Sequence, residues 1–582
     1  MKRFLLCLVT ILLLSSAILY FKFGYSLTDV GYHLLVMTFV IGLIVVLILA
    51  LSLIPNLKLR KLLIHSFSFT YFLSFTIFYL LILSSNLFWG KTITLKIVSN
   101  YLRKIDGLIS ILPVKAWIFY FTILLVLALI VLLYLLVRPS TGKISRVSAF
   151  RWRRRRTRQF ALAALLIAIA LPLIFHKQAT YLKRRIHFSN EPAFQFALGP
   201  MWNAFAVPLA FDTERFKKGL MDQACTDSIG TPPLSADPPT IVVILLDALR
   251  RDHLPMYGYS RNTSPFLDSL FKAGSLQIVQ NAFSNSNTTS GGVSGLFYSR
   301  DWENFGYNGL SLLKFMKRAN YKTYAFLTGF HRDWYDLSAI YRTNCDYYYE
   351  SAINPYANDD DDLPTLAEFS KRSYDKNSFI YIHLLSTHTI GKKNDEFKQF
   401  LPDKVNLGVG LKTAFVNNYD NGILQGDFVI REIFSKLSRD GLLKNSIVYI
   451  VADHGELFGE DGRFSHGGDV HQDLLNIPIM VYDSASSWYK NLESATIKDI
   501  APSIVDRLGF GIPSCWEGKS LHAAPHDFTI DINSGLTTEL PKGRLTRKDS
   551  SYSVDIMNAQ KQIKKSFTSS GNGSPWQPVN ER

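Results

Sequence analysis

Cysteine is scarce in this chain, at four residues in 582. Cys7 falls in an apolar run, which leaves Cys225, Cys345 and Cys515. At most one disulfide can form among these three, and their spacing does not choose the pair. A scaffold held by many disulfides is excluded. Internal repeats are absent too. Acidic side chains are outnumbered, 47 against 63 basic, for a net charge of +16. A basic balance can mark a nucleic-acid partner. Here its densest part, Arg151, Arg153, Arg154, Arg155, Arg156 and Arg158, lies between two apolar runs, where membrane topology and anionic head groups account for it. No nucleic acid is implied.

Long uncharged runs dominate the first third. Five spans are predicted, at about 4–21, 33–54, 62–83, 116–137 and 160–175; most reach the length of roughly twenty residues that a bilayer requires, the first and last being short. The first has the look of a signal peptide but lacks a small-x-small cleavage site, and the later spans favour an anchor. Lys2, Arg3, Lys58, Arg60, Lys61, Arg138, Lys143, Arg146 and the arginine run fall on one side if the spans alternate. The positive-inside rule makes that side the cytoplasm. An odd number of spans then exports everything after about residue 176. The expected organisation is a transmembrane domain over 1–176, linker helices over 177–237, a catalytic domain over 238–522 and a peripheral segment over 523–582 with a disordered end. The loop 85–115 mixes apolar and basic residues, as an interfacial helix or an ordered loop does.

Chemistry concentrates in the exported part. Val451-Ala452-Asp453-His454-Gly455-Glu456 places an acid beside an imidazole after an apolar run, and His466 follows twelve residues later. Adjacent oxygen and nitrogen ligands at a strand end suit a divalent metal. An isolated Asp-His pair is more often a cap beside a surface histidine, so partners decide. Thr240 to Leu246 is a β-branched run delivering Asp247 to a sheet's carboxyl edge, where ligands of open α/β sheets collect. Ser378 to Leu385 leads to His383 and His388. Asn287-Thr288-Thr289-Ser290-Gly291-Gly292 is a small-residue turn that holds a hydroxyl at a helix N-terminus, a place that favours anions. Strands at 241–246, 322–327, 378–385, 446–452 and 477–482 alternate with helices such as 264–273 and 420–437. The fold class is therefore α/β, a mainly parallel sheet between helices.

Asp247-Ala248-Leu249-Arg250-Arg251-Asp252-His253, Tyr257-Gly258-Tyr259, Thr263-Ser264-Pro265, the Thr288/Thr289 turn, His388, Asp453-His454-Gly455-Glu456 and His466 together resemble the ordered motif series of the alkaline phosphatase and sulfatase superfamily, over about 238–510. Sulfatases carry a Cys/Ser-x-Pro-x-Arg sequence that becomes formylglycine; this chain has Thr289-Ser290-Gly291-Gly292-Val293, and threonine cannot be converted so. Threonine is the nucleophile in lipid A phosphoethanolamine transferases and lipoteichoic acid synthases, and His383-x-x-x-x-His388 with Tyr419-Asp420-Asn421 resembles the former. Asp247 departs from both groups, which have glutamate there. Phosphoethanolamine transferases also carry several disulfides where this chain has room for one. The elements at 287–298 resemble, secondarily, an inner-membrane sulfatase-like regulator of lipopolysaccharide synthesis, a type that tends to lose the metal ligands present here.

The resemblance implies a metal site of Asp247, Thr289, Asp453 and His454, with zinc the expected metal and manganese or magnesium as alternatives. It implies Thr289 as nucleophile, Thr288 being the alternative, and His388 and His466 on the phosphate and leaving group. His383 would stand on the substrate side in support. The implied reaction moves a phospholipid head group, phosphoethanolamine or similar, through a covalent threonine intermediate to an envelope lipid or glycan. The implied setting is the bacterial inner membrane, with the catalytic domain periplasmic or extracellular. A sulfatase-like hydrolase of phosphate or sulfate esters and an inactive lipid sensor are the competing readings.

Overall fold

The computed structural model describes residues 2–139 and 235–579, apart from single residues and short stretches of which 533–542 is the longest, together with Pro192, Ala193, Phe196 and Cys225. The expected fifth span at 160–175, the arginine run and most of the linker lie outside the described residues. The chain divides into two compact units, Met1–Ser99 with Ala116–Val207, and Asn100–Lys115 with Pro208–Arg582.

The first unit contains four described helices long and apolar enough to cross a membrane: α1 (Lys2–Phe21), α2 (Leu27–Leu51), α3 (Leu57–Trp89) and α4 (Ala116–Val137). The second begins earlier than expected and also ends earlier, short of Ile54, which Pro55 disfavours from the helical conformation. Helix α3 exceeds the expected 62–83 at both ends. Phe4, Leu8, Ile44, Ile48, Phe72, Phe75 and Tyr134 form the shared core, while Leu124, Leu132 and Leu136 of α4 stay exposed, as lipid-facing residues do. Between α2 and α3 a buried hydrogen bond of 2.9 Å joins His33 Nε2 and the Tyr79 hydroxyl.

The second unit is built on a seven-stranded mixed sheet. Its strands are β1 (Thr240–Leu246), β2 (Leu276–Ile278), β3 (Lys322–Leu327), β4 (Tyr347–Glu350), β5 (Ser378–Leu384), β6 (Ser446–Val451) and β7 (Ile479–Asp483). They lie in the order β2-β7-β6-β1-β5-β3-β4. β6, β1, β5, β3 and β4 run parallel, whereas β7 is antiparallel to both of its neighbours. β1 is buried at every position, as are β5 and β6, so all three are predominantly apolar without alternation. Helices α5 (Pro265–Lys272), α6 (Thr289–Tyr298) and α7 (Leu411–Arg439) accompany the sheet. Cys225 is bonded to Cys515, and Cys345 is a free thiol.

After residue 523 the chain departs from expectation. The strands Phe528–Ile532, Gly543–Lys548, Ser551–Met557, Ile563–Ser569 and Gln577–Pro578 form a five-stranded antiparallel sheet. Ile530, Ile532, Leu545, Tyr552 and Val554 bury one face of it with Phe283, Val470 and Leu475. The expected disorder from about 568 is corrected at 575–579. There Gln577 and Pro578 pair with Thr568 and Phe567, and the Trp576 amide donates to Gln472.

Candidate metal and nucleophile site

Three parallel strands deliver the site to one edge of the sheet. Asp247 follows β1, Asp453 and His454 follow β6, and His383 lies near the end of β5. Between Asp247 and the next residues the chain turns sharply: Ala248 has φ 63°, an uncommon conformation for a residue other than glycine. The turn lets the Ala248 amide donate to Asp453 Oδ1 at 3.0 Å, and the His454 amide does the same at 3.0 Å. The other oxygen, Asp453 Oδ2, and Asp247 Oδ1 are buried without a hydrogen-bond partner among the described residues. His454 Nδ1 donates to the Gly455 carbonyl at 2.8 Å, which leaves the Nε2 lone pair facing the carboxylates, 3.4 Å from Asp453 Oδ2 and 3.7 Å from Asp247 Oδ1. One ligand atom from each of the three residues lies within 4.8 Å of the others.

Two buried acids this close repel. Burial and the Asp247 charge push Asp453 up to about 6. Burial alone would lower His454, but the two carboxylates outweigh it and raise the ring. Orphaned carboxylate oxygens beside an oriented imidazole lone pair are a donor set that fits a divalent cation, and a cation would offset the repulsion.

Thr289 opens α6 and brings its hydroxyl to this cluster. Oγ1 is 3.3 Å from Asp247 Oδ2 and 3.3 Å from His454 Nε2. Thr288, the residue before the helix, has its Oγ1 3.2 Å from Ser286 Oγ instead. The glycines after Thr289 are needed for close approach. A Cβ on Gly292 would meet the Asp453 backbone, and one on Gly291 the Ser286 side chain.

His383 is fully buried. Nε2 donates to Asp247 Oδ2 at 3.1 Å and Nδ1 accepts from the Tyr381 hydroxyl at 3.0 Å; burial lowers the ring to about 4. Both nitrogens are engaged, and through Nε2 the ring supports Asp247.

A second cluster adjoins the first. His388, Glu456 and His466 bring ligand atoms within 4.8 Å of one another. Glu456 Oε1 is 3.2 Å from His466 Nδ1, and Oε2 accepts from the Thr389 hydroxyl at 2.9 Å. The His466 ring lies 4.1 Å from that of His454 and 5.0 Å from that of His388, centroid to centroid. Nδ1 of His388 accepts the Ile390 amide at 3.2 Å, so in the neutral ring Nε2 carries the proton. Burial holds His388 down to about 4 and pushes Glu456 up. Glu456 was passed over as a site residue; three positions after Asp453, at the end of the same motif, it was readable as one.

The remaining motif residues brace these loops. Tyr419 of α7 accepts the Arg250 amide at 2.6 Å and donates to the Ala248 carbonyl at 2.8 Å. Asp420 is bonded to His253, Tyr259 and Arg261. Arg250 pairs with Asp252, Glu460 and Asp473 and donates to the Glu456 carbonyl. These carboxylates raise its guanidinium although burial opposes them.

Residues 239–510 match the family model described as Sulfatase. Two curated relatives are similar. A phosphoethanolamine transferase, EptA, of Helicobacter pylori is 24% identical over 260 residues, covering 42% of this chain and 47% of the relative. The phosphatidylethanolamine transferase Mcr-2 of Escherichia coli is 24% identical over 344 residues, covering 54% and 60%. The chain thus spans about half the length of the curated relatives it matches. The solved integral membrane EptA of Neisseria meningitidis aligns over 82% of this chain and 97% of its own, at 16% identity and a TM-score of 0.44.

Proposed function

We propose that the protein is a membrane-anchored, metal-dependent transferase that moves a phospholipid head group, phosphoethanolamine or similar, through a covalent intermediate on Thr289 to an envelope lipid or glycan. The observation that carries the reading is the Thr289 hydroxyl held beside two buried carboxylates with orphaned oxygens and an oriented imidazole lone pair. Asp247, Asp453, His454 and Thr289 would hold the cation, for which zinc suits the mixed oxygen and nitrogen set and manganese or magnesium are alternatives. Bound there, it supplies the positive charge that lowers the hydroxyl's pKa and offsets charge on the phosphoryl oxygens.

Thr289 Oγ forms a bond to the donor phosphorus as the ester bond to diacylglycerol breaks, and its own proton leaves to solvent. His388 Nε2–H donates a hydrogen bond to the departing oxygen, which takes up a proton from solvent and leaves as diacylglycerol, with His466 beside it on the phosphoryl group. In the second step an acceptor hydroxyl, losing its proton to solvent, attacks the same phosphorus as the bond to Thr289 Oγ breaks; Oγ takes up a proton from solvent, which returns Thr289 and yields the modified acceptor. Glu456 orients His466, and His383 orients Asp247. Preorganised donors aimed at developing charge are where most of the acceleration originates. The site would face the periplasm or cell exterior of the inner membrane, where a lipid rather than ATP is the available donor.

Incubation of the purified full-length protein with head-group-labelled phosphatidylethanolamine and an envelope lipid acceptor tests this. Label on the acceptor is the expected product. Label released as free head group would favour the hydrolase, and no turnover together with no bound metal would favour a sensor.

A further inference from the structure

Tyr381 carries a hydroxyl into the middle of the core. It lies on β5, which is buried at every position, two residues before His383 and therefore on the same face of the sheet. Its hydroxyl reaches along that face to His383 Nδ1 at 3.0 Å, and His383 Nε2 reaches on to Asp247 Oδ2 at 3.1 Å. A carboxylate only accepts, so Nε2 carries the proton. In the neutral ring that full burial favours, Nδ1 is then an acceptor and the phenol its donor. Asp247 Oδ2 is thereby held by His383 and by the Thr289 hydroxyl, whereas Oδ1 is buried without a hydrogen-bond partner among the described residues. That free oxygen is the one 3.7 Å from His454 Nε2. A chain of phenol, imidazole and carboxylate thus selects which oxygen of Asp247 is left for the cluster.

The phenol is itself fixed by its neighbours. Phe297 of α6, the helix that Thr289 opens, packs edge-on against the Tyr381 ring at 4.9 Å and 79°, and Tyr341 stacks on it at 5.4 Å and 20°. The Tyr341 hydroxyl lies 3.5 Å from that of Tyr381, one link further from Asp247. We infer that Tyr381 is a positioning residue for the cation site: by donating to Nδ1 it fixes the tautomer and orientation of His383, which holds Asp247 Oδ2 and leaves Oδ1 for the cation. The inference rests on the cation site proposed above. Without the phenol, nothing requires the proton to stay on Nε2. A proton moved to Nδ1 would turn the Nε2 lone pair on Oδ2, two acceptors in contact, and Asp247 would lose its anchor. Sequence alone does not mark this residue, because a tyrosine suits a buried strand as well as it suits a site.

The test measures the zinc affinity of the purified full-length protein by competition with a chelating indicator, which needs no turnover. Tyr381→Phe keeps the ring and both aromatic contacts, and is expected to raise the zinc Kd about tenfold, the scale of losing a partner behind a metal ligand. Tyr341→Phe removes a hydroxyl from the same aromatic stack without touching His383, and is expected to leave the Kd unchanged. His383→Gln gives Asp247 an amide donor that has no tautomer to set. In that background Tyr381→Phe is expected to add nothing to the effect of His383→Gln alone. Unfolding of the metal-stripped variants is followed in parallel, and Tyr381→Phe is expected to melt close to wild type. An unchanged Kd in Tyr381→Phe, an equal loss in Tyr341→Phe, or the same tenfold loss on top of His383→Gln overturns the inference and leaves the cation site in place. A wild type that binds none of zinc, manganese and magnesium overturns the cation site and this inference with it.

Discussion

Thr288 and Thr289 are neighbours with different surroundings, and that difference makes a prediction. Thr289 Oγ1 lies between Asp247 and His454, whereas Thr288 Oγ1 lies against Ser286. Thr289→Ala is expected to abolish transfer while leaving the melting temperature close to wild type. Thr288→Ala is expected to keep transfer and to cost about 1 kcal/mol or less, since its hydroxyl makes no cap bond to the helix. Turnover and thermal unfolding of both variants check this. A second residue-scale prediction concerns acid. His331 is held down to about 3 by burial, against about 6.5 in an unfolded chain. The unfolded state therefore binds more protons between these values, and His331 contributes stability that is lost as pH falls from about 6.5 towards 3. His331→Asn should flatten that limb of the stability curve in chemical denaturation; an unchanged slope contradicts it. At this scale the sequence was informative where residue type is restricted, as for Asp247, Asp453, His454, His388 and His466. It was silent on His331, because the burial of that ring exists only once the sheet is folded.

At the scale of elements, the apolar runs announced β1, β5 and β6, since strands buried on both faces leave few polar positions to blur the signal. β7 was legible as a strand at nearly its observed place, but its antiparallel direction was not, because a buried run reads alike either way. Helix α7 is longer than the expected 420–437. Its first half carries Asn417, Asn418, Tyr419, Asp420 and Asn421, residues that look like surface but are buried, Tyr419 and Asp420 against the segment after Asp247 and Asn421 against Gln399 and Phe400. The C-terminal segment was legible as a peripheral addition but not as a sheet, because its Ser, Gly, Asn and Lys content blurs the strand signal and only one face of the sheet is buried. Two glycines define how closely helices approach the site. A Cβ on Gly426 of α7 would lie 2.6 Å from Leu246 Cδ2, and one on Gly292 would meet the Asp453 backbone. Gly292→Ala is expected to destabilise by about 1–3 kcal/mol, the usual cost of overpacking, and to lower turnover by displacing Thr289. Denaturant unfolding with activity measured in parallel tests it; wild-type values for both would show that the helix can shift without consequence.

For the whole molecule, cysteine chemistry gives a direct count. The Cys225–Cys515 bond leaves Cys7 and Cys345 as free thiols. Alkylation of the denatured, unreduced protein is expected to label two cysteines, and all four after reduction. Labelling of all four without reductant would contradict the Cys225–Cys515 bond and count against the proposed export of the second unit. The four described apolar helices, the sheet edge and the two metal-ligand clusters combine into one claim, that a cation-activated Thr289 takes a head group from a membrane lipid. The most direct measurement is the mass of the Thr289 peptide after the full-length protein is incubated with phosphatidylethanolamine, with and without a chelator. The account predicts a peptide heavier by one phosphoethanolamine, absent after chelation and absent in Thr289→Ala. No adduct in the metal-loaded wild type, or an adduct that persists in Thr289→Ala, would contradict it.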